Sequence, residues 1–69
     1  MNELIFLVEE DPENGFNARA LGQSIFTQGN TIDELKIKIK EAVECHFEEL
    51  AELPKIIRLH YVKEEVFTL

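Results

Sequence analysis

One long stretch, residues 31–53 (TIDELKIKIKEAVECHFEELAEL), repeats apolar side chains at helical spacing and constrains the fold more than any other segment. Its start is marked by Thr31, whose hydroxyl can accept from the backbone N–H of Glu34 while the glutamate side chain reaches back. Pro54 lacks a backbone donor and predicts the helix end. At about 100° per residue the apolar side chains share one face, with Phe47 at its edge, so that face must be buried. The predicted buried face is Ile32, Leu35, Ile39, Ala42, Val43, His46, Leu50 and Leu53.

Four short strands are predicted around this helix. Residues 4–8 form an apolar run too short for a helix, and residues 9–15 hold a proline and an Asn-Gly pair, which are typical of a hairpin turn. Residues 16–21 predict the return strand, residues 24–28 a third strand and residues 55–63 a fourth. Because the fourth strand is reached through the helix, we expect it to pair in parallel with the first by a right-handed crossover. The predicted fold class is α+β, with element order β-β-β-α-β, sheet order 3-2-1-4 and the helix on one face.

The first predicted strand is apolar on both of its faces. Leu4, Phe6 and Val8 point one way, whereas Ile5 and Leu7 point the other. A single helix covers only one face of a sheet, so the second face is left over. A 69-residue chain also has a small core, and association is a common supplement to its stability. These features favour a homo-oligomer or a protein partner over an isolated monomer.

The charge balance narrows the classes of partner. Fourteen acidic residues against seven basic ones give a formal net charge of -7, which repels phosphate backbones and anionic membranes. Nucleic acid and membrane are therefore disfavoured, and a basic protein is the favoured partner, with a surplus of charge that serves only solubility as the alternative. Cys45 is the only cysteine, and the N-terminus lacks the pattern of an export signal. We expect a cytoplasmic protein.

The residues capable of chemistry form no recognisable catalytic set. Cys45 and His46 are neighbours on the predicted helix and diverge by about 100°, so they do not face each other. His46 lies on the apolar face and is expected to be a neutral core residue, with a pH-sensitive or interface role as the alternative. Together with His60 these residues lack the paired short spacing of a zinc motif, and no phosphate-binding loop is present. We expect no enzyme activity, no metal and no cofactor.

Four segments resemble the HicB-like antitoxin family of small prokaryotic proteins. They are VEEDPENGFNARALG (residues 8–22), SIFTQGNTIDEL (residues 24–35), IKEAVECHFEE (residues 39–49) and IRLHYV (residues 57–62). The shared elements are a strand ending in Glu-Asp-Pro, a Gly-aromatic-x-Ala return strand, a short strand closing in Gly and a Thr-x-x-Glu-Leu helix start. The order and spacing of these elements carry the resemblance, rather than any one of them.

The resemblance implies a partial ribonuclease H-like fold and a function. The function is to bind and neutralise a small basic HicA-type toxin, a ribonuclease with a fold like that of double-stranded-RNA-binding domains that cleaves messenger RNA. Antitoxins of this family cover the toxin's catalytic histidine and RNA-facing surface, so they supply no catalyst, and residues 4–8 lack the metal-binding acid that ribonuclease H carries there. Longer members carry a C-terminal helix-turn-helix or ribbon-helix-helix. This chain is expected to be a single HicB-like domain over residues 1–69, without a DNA-binding domain.

The hypothesis places the partner surface on the acidic first turn and the outer acids of the helix, with an arginine and an aromatic residue near the hairpin. The predicted partner-binding residues are Glu10, Asp11, Glu13, Phe16, Arg19, Glu41, Glu44 and Glu48. The alternative is that these are ordinary solvated charges. A second function hypothesis is a self-associating structural or regulatory protein with no toxin partner, and a third is an enzyme using Cys45 or the acids.

Overall fold

The computed structural model describes residues 2–13 and 15–69, and its four strands form one sheet. Its elements in chain order are β1 (Glu3–Asp11), β2 (Gly15–Ala20), β3 (Phe26–Gly29), α1 (Ile32–His46), a 3-10 turn (Leu50–Glu52) and β4 (Ile56–Val62). β2 pairs antiparallel with both β1 and β3, whereas β4 pairs in parallel with β1. The predicted α+β class, the mixed pairing and the order 3-2-1-4 are confirmed.

The pairing registers give the sheet two distinct faces. Phe6 lies opposite Ala20 on β2, and Val8 lies opposite Ala18. These side chains and Leu4 are buried under α1, where they meet the buried residues of the helix. The predicted alternation along β1 is therefore confirmed, and the core lies between one face of the sheet and α1.

The helix begins where the sequence predicts. The hydroxyl of Thr31 accepts a hydrogen bond from the backbone N–H of Glu34 at 3.1 Å. The carboxylate of Glu34 accepts from the backbone N–H of Asn30 at 3.0 Å, one residue earlier than the N-cap itself. The first bond satisfies a donor that a helix N-terminus otherwise leaves free, and the second holds the residue before the N-cap, so both stabilise the turn from β3 into α1.

The predicted end of the helix is wrong. α1 stops at His46, because Phe47 takes up an extended conformation (φ −94°, ψ 118°) and packs against the core. Glu48 and Glu49 follow, and two acids at the negative end of a helix oppose its continuation. As a result His46 is exposed and Leu50 is 86% exposed, so the prediction that both lie on the buried face is also wrong.

The helix lies over one side of the sheet. Its Cα atoms come within 8 Å of those of β2 and β3 but, among these described elements, not within 8 Å of those of β1 or β4. Gly29 makes the close approach possible, since a Cβ atom there would lie 2.8 Å from the backbone nitrogen of Leu35. Ala18 and Ala20 are also small where the helix crosses β2. The helix therefore packs most closely on β2 and β3, and along β4 only Leu59 is half-buried and packs against the core.

Candidate functional site

Acidic side chains gather at the end of the sheet where β1 turns into β2. The carboxylate of Asp11 accepts a hydrogen bond from the backbone N–H of Glu13 at 2.9 Å, which holds the turn. Gly15 has φ +79°, as the predicted reversal requires, while the predicted contribution of Asn14 lies outside the described residues. A Cβ atom at Gly15 would also lie 2.6 Å from the carbonyl oxygen of Gly29, so only glycine fits there.

The parallel pairing of β4 brings a distant segment to this turn. Val62 lies opposite Glu9 in the register, so the residues after β4 emerge beside the hairpin. A depression of about 340 Å³ forms between the two segments. It is lined by Glu9, Glu10, Pro12, Val62, Lys63 and Glu64. We call Glu9, Glu10, Asp11, Glu13 and Glu64 the acidic end. Glu9 and Glu64 are not among the predicted partner-binding residues, although the predicted parallel pairing of the first and fourth strands is a signal that places them together.

Four of the predicted partner-binding residues lie at this end of the sheet. Glu10 and Glu13 are exposed, Asp11 is half-buried, and Phe16 is half-buried opposite Glu10 in the β1–β2 register. Phe16 also packs against the core, so much of its ring serves the fold. The first predicted turn is thus a real cluster of acidic groups.

The remaining predicted residues lie elsewhere. Glu41 and Glu44 are exposed on the second half of α1, and Glu44 is about 18 Å along the axis from the first residue of the helix. Glu48 follows the end of the helix, so it does not continue the row formed by the other two. Arg19 is exposed on the other face of the sheet, opposite Leu7. The structure therefore separates the predicted surface into an acidic end and a distant pair of helix acids.

A second feature is an open groove between α1 and β4, with a volume of about 470 Å³. We call it the helix–β4 groove. Apolar side chains form its floor, and charged side chains from the helix and from the start of β4 form its edges. It is lined by Lys36, Ile39, Lys40, Val43, Glu44, Leu53, Pro54, Lys55, Ile57 and Leu59. The groove exists because the helix packs toward β2 and β3, a consequence of the small residues there.

The sheet face opposite the helix is partly apolar, as the sequence predicts for Ile5 and Leu7. Both side chains are half-buried, and Phe26 on β3 is 63% exposed on the same face. An ion pair between Arg58 and Glu3 crosses this face between β4 and β1. This face therefore mixes apolar and charged groups.

Cys45 and His46 are both exposed, and they line the same open depression beside Ser24 and Phe26. Nε2 of His46 lies 3.2 Å from Oε1 of Gln23, and its ring meets that of Phe47 edge to face, with centroids 5.0 Å apart. Cys45 is a free thiol. Within residues 2–13 and 15–69, no group of three or more His, Cys, Asp or Glu side chains is placed to hold a metal ion. His46 thus joins the helix end to the β2–β3 turn at the surface.

The fold and its surfaces define a small α+β domain in which one helix covers part of a mixed four-stranded sheet, leaving an acidic end and an apolar groove exposed. In the described part of the chain, the helix is too short and too polar to cross a membrane.

Two curated proteins are similar to this chain over most of its length. It is 60% identical over 53 residues to a UPF0150 protein of Archaeoglobus fulgidus, covering 77% of each chain. It is 42% identical over 62 residues to a UPF0150 protein of Thermotoga maritima, covering 90% of this chain and 86% of that one. The chain therefore belongs to the UPF0150 family, and both of these relatives are prokaryotic. No family model matches the chain, and no solved structure matches it.

Proposed function

We propose that this protein is an antitoxin-like binding protein that neutralises a small basic HicA-type ribonuclease by covering its active site. The resemblance of four segments to HicB-like antitoxins supplies the kind of partner. The acidic end supplies a surface of the matching charge. The names of the two relatives state no activity, so the proposal rests on these two supports.

The proposal rests mainly on three exposed carboxylates at the acidic end. Within the described part of the chain, the carboxylates of Glu9, Glu10 and Glu13 form no ion pair. All three are exposed, so they are available to cationic groups of a partner. An RNA-cleaving enzyme presents lysine and arginine side chains where it holds the phosphate backbone. Carboxylates docked on those side chains would occupy the place of the RNA and would also speed the encounter.

A second candidate function is self-association without a toxin. It is favoured by β4, an edge strand of seven residues whose side chains are almost all exposed, since such edges readily pair with another chain. Glu9, Glu10 and Glu13 of the acidic end lie outside the helix–β4 groove, so these three residues can serve a partner while the groove serves self-association.

The first test is co-expression with the product of the adjacent gene, followed by copurification and a growth assay. The proposal expects that product to be a short basic protein that arrests growth alone, and it expects rescue and a stable complex when both are present. An adjacent product that is not toxic and does not bind would refute the antitoxin function and leave self-association as the better account.

A matched pair of charge reversals then locates the surface. Glu10→Lys with Glu13→Lys changes the acidic end, whereas Glu41→Lys with Glu44→Lys makes the same change of charge on the helix. We expect the first pair to slow association with the toxin about tenfold or more at low salt, with the difference shrinking as salt screens the charges. Equal slowing by both pairs would mean that net charge, and not the acidic end, drives the encounter.

A further inference from the structure

Residues 63–69 form an exposed apolar segment beyond β4 and have no regular secondary structure. Val66 is 90% exposed, Phe67 is 82% exposed, and Leu69 is fully exposed. Two acidic residues, Glu64 and Glu65, precede them. Large apolar side chains grouped in this way are typical of a segment that binds a surface.

The helix–β4 groove has the complementary character. Its floor is apolar, formed among others by Ile39, Val43 and Ile57. Lys36, Lys40 and Lys55 line its edges, which places three of the seven basic residues of an acidic protein around one groove, although Glu44 also lies there. The groove is open to solvent and has a volume of about 470 Å³. An acidic segment ending in apolar residues fits both the floor and the charged edges.

The path of the chain directs this segment away from the part of its own groove that lies at the start of β4. β4 ends at Val62 beside Glu9, whereas Leu53 and Lys55 of the groove precede β4 and lie at its other end. To reach them, residues 63–69 would have to reverse direction at once. That segment contains no Gly, Pro, Asn or Asp, the residues that make tight reversals.

The dimensions of the molecule agree with an outward path. The radius of gyration is 13.4 Å, and the longest extent is 52 Å against 20 and 18 Å for the other two. A folded chain of this length is expected to have a radius of gyration of about 11 Å. An elongated shape is expected when a segment extends beyond the core, and every side chain of residues 63–69 is exposed.

We propose that residues 64–69 of one copy occupy the helix–β4 groove of a second copy, and that the exchange is reciprocal. The acidic residues of the segment pair with the lysines at the edges, while Val66 and Phe67 cover the apolar floor. The exposed edge of β4 lies next to the groove, so the two copies also bring their edge strands together. The resulting two-fold dimer closes on itself and covers the part of the sheet that α1 leaves open. This inference does not depend on the proposed toxin partner.

Sedimentation of the purified chain over a range of concentrations tests the dimer. We expect a monomer–dimer equilibrium and at least a tenfold weaker dimer for Phe67→Glu, whose side chain is exposed in the single chain and so does not threaten folding. Lys36→Glu with Lys40→Glu should also weaken it, and adding Glu64→Lys with Glu65→Lys should restore it. Lys38→Glu is the control, because Lys38 lies beside Gln28 and Asn30, outside the groove.

Disulfide trapping tests the exchange between copies. In a Cys45→Ser background, Phe67→Cys protein is mixed with Ile57→Cys protein, and oxidation should link the two in a covalent species of twice the single-chain mass. Each variant alone should link far less. A chain carrying both cysteines that closes on itself as a monomer would overturn the proposal, and so would a monomer at all concentrations or a dimer indifferent to Phe67→Glu.

Discussion

Two parts of the molecule are similarly rich in apolar residues but differ in burial. The part of the sheet under α1 is buried, whereas β4 and residues 63–69 are mostly exposed. Among the described residues, all nine buried apolar side chains come from β1, β2, the β2–β3 turn and α1. Along β4 only Leu59 is even half-buried, while Ile56 and Tyr61 are more than half exposed.

The difference between these two parts has a local cause. Gly29 and the alanines of β2 let the helix approach β2 and β3 closely. A helix in that position leaves β4, at the opposite edge of the sheet, more exposed. The comparison shows that an apolar strand can be the correct sheet partner and still lie outside the core. The sequence predicts that Ile5 and Leu7 are apolar side chains outside the core. The structure shows further apolar side chains outside the core, and more exposed ones, on β4 and in residues 63–69.

Replacing leucine by alanine should destabilise the protein strongly under α1 and hardly at all at an exposed position. Leu35→Ala removes a fully buried side chain and should lower the free energy of unfolding by about 2–5 kcal/mol, because it leaves a cavity in the core. Leu50→Ala, at a position that is 86% exposed, should change it by less than about 0.5 kcal/mol. Urea unfolding measures both values, and Ile39→Val is the milder core variant if Leu35→Ala does not fold. A loss of more than about 1 kcal/mol for Leu50→Ala would contradict the exposure of the segment after α1.

The second prediction tests why the helix packs so closely on β2 and β3. Gly29→Asn forces a side chain against the backbone of Leu35 and should cost about 1–3 kcal/mol. Gly22→Asn is the matched control, because Gly22 has open space around its Cβ position and asparagine tolerates its φ of +82°. Thermal unfolding distinguishes the two. Equal stability of both variants would show that the close approach at Gly29 is not what positions the helix.

A smaller effect is expected at the start of the helix. Thr31→Ala removes the acceptor for the Glu34 backbone N–H and should cost about 1 kcal/mol in unfolding free energy. Thr31→Ser keeps the hydroxyl and should retain most of the stability. If the serine variant loses as much as the alanine variant, the methyl group and not the hydrogen bond is what matters at this position.

The smallest effect is expected at His46. Because its ring is exposed and its hydrogen bond to Gln23 is at the surface, His46→Gln should change the unfolding free energy by no more than about 0.5 kcal/mol. Urea unfolding at neutral pH provides the measurement. A loss above about 1 kcal/mol would favour the buried position that the helical spacing predicts.

The types of residue in the candidate site could largely be predicted from the sequence, but their positions relative to one another could not. The hairpin acids Glu10 and Glu13 were found because turn residues and charge are local features of the sequence. The separation of Glu41 and Glu44 from that turn follows from the direction in which the helix runs back along the sheet, which a list of acidic residues does not show. The helix–β4 groove could not be predicted, since it depends on how far the helix leans toward Gly29.

The order and pairing of the strands, the start of the helix and the alternation of side chains along β1 could all be predicted from the sequence. These features depend on short-range spacing, on turn chemistry and on the parallel pairing that a helical connection favours. The end of the helix at His46 and the exposure of most of β4 became apparent only in the folded chain. Both depend on contacts between residues far apart in the chain, where Phe47 leaves the helix to pack on the core and Gly29 admits the backbone of Leu35.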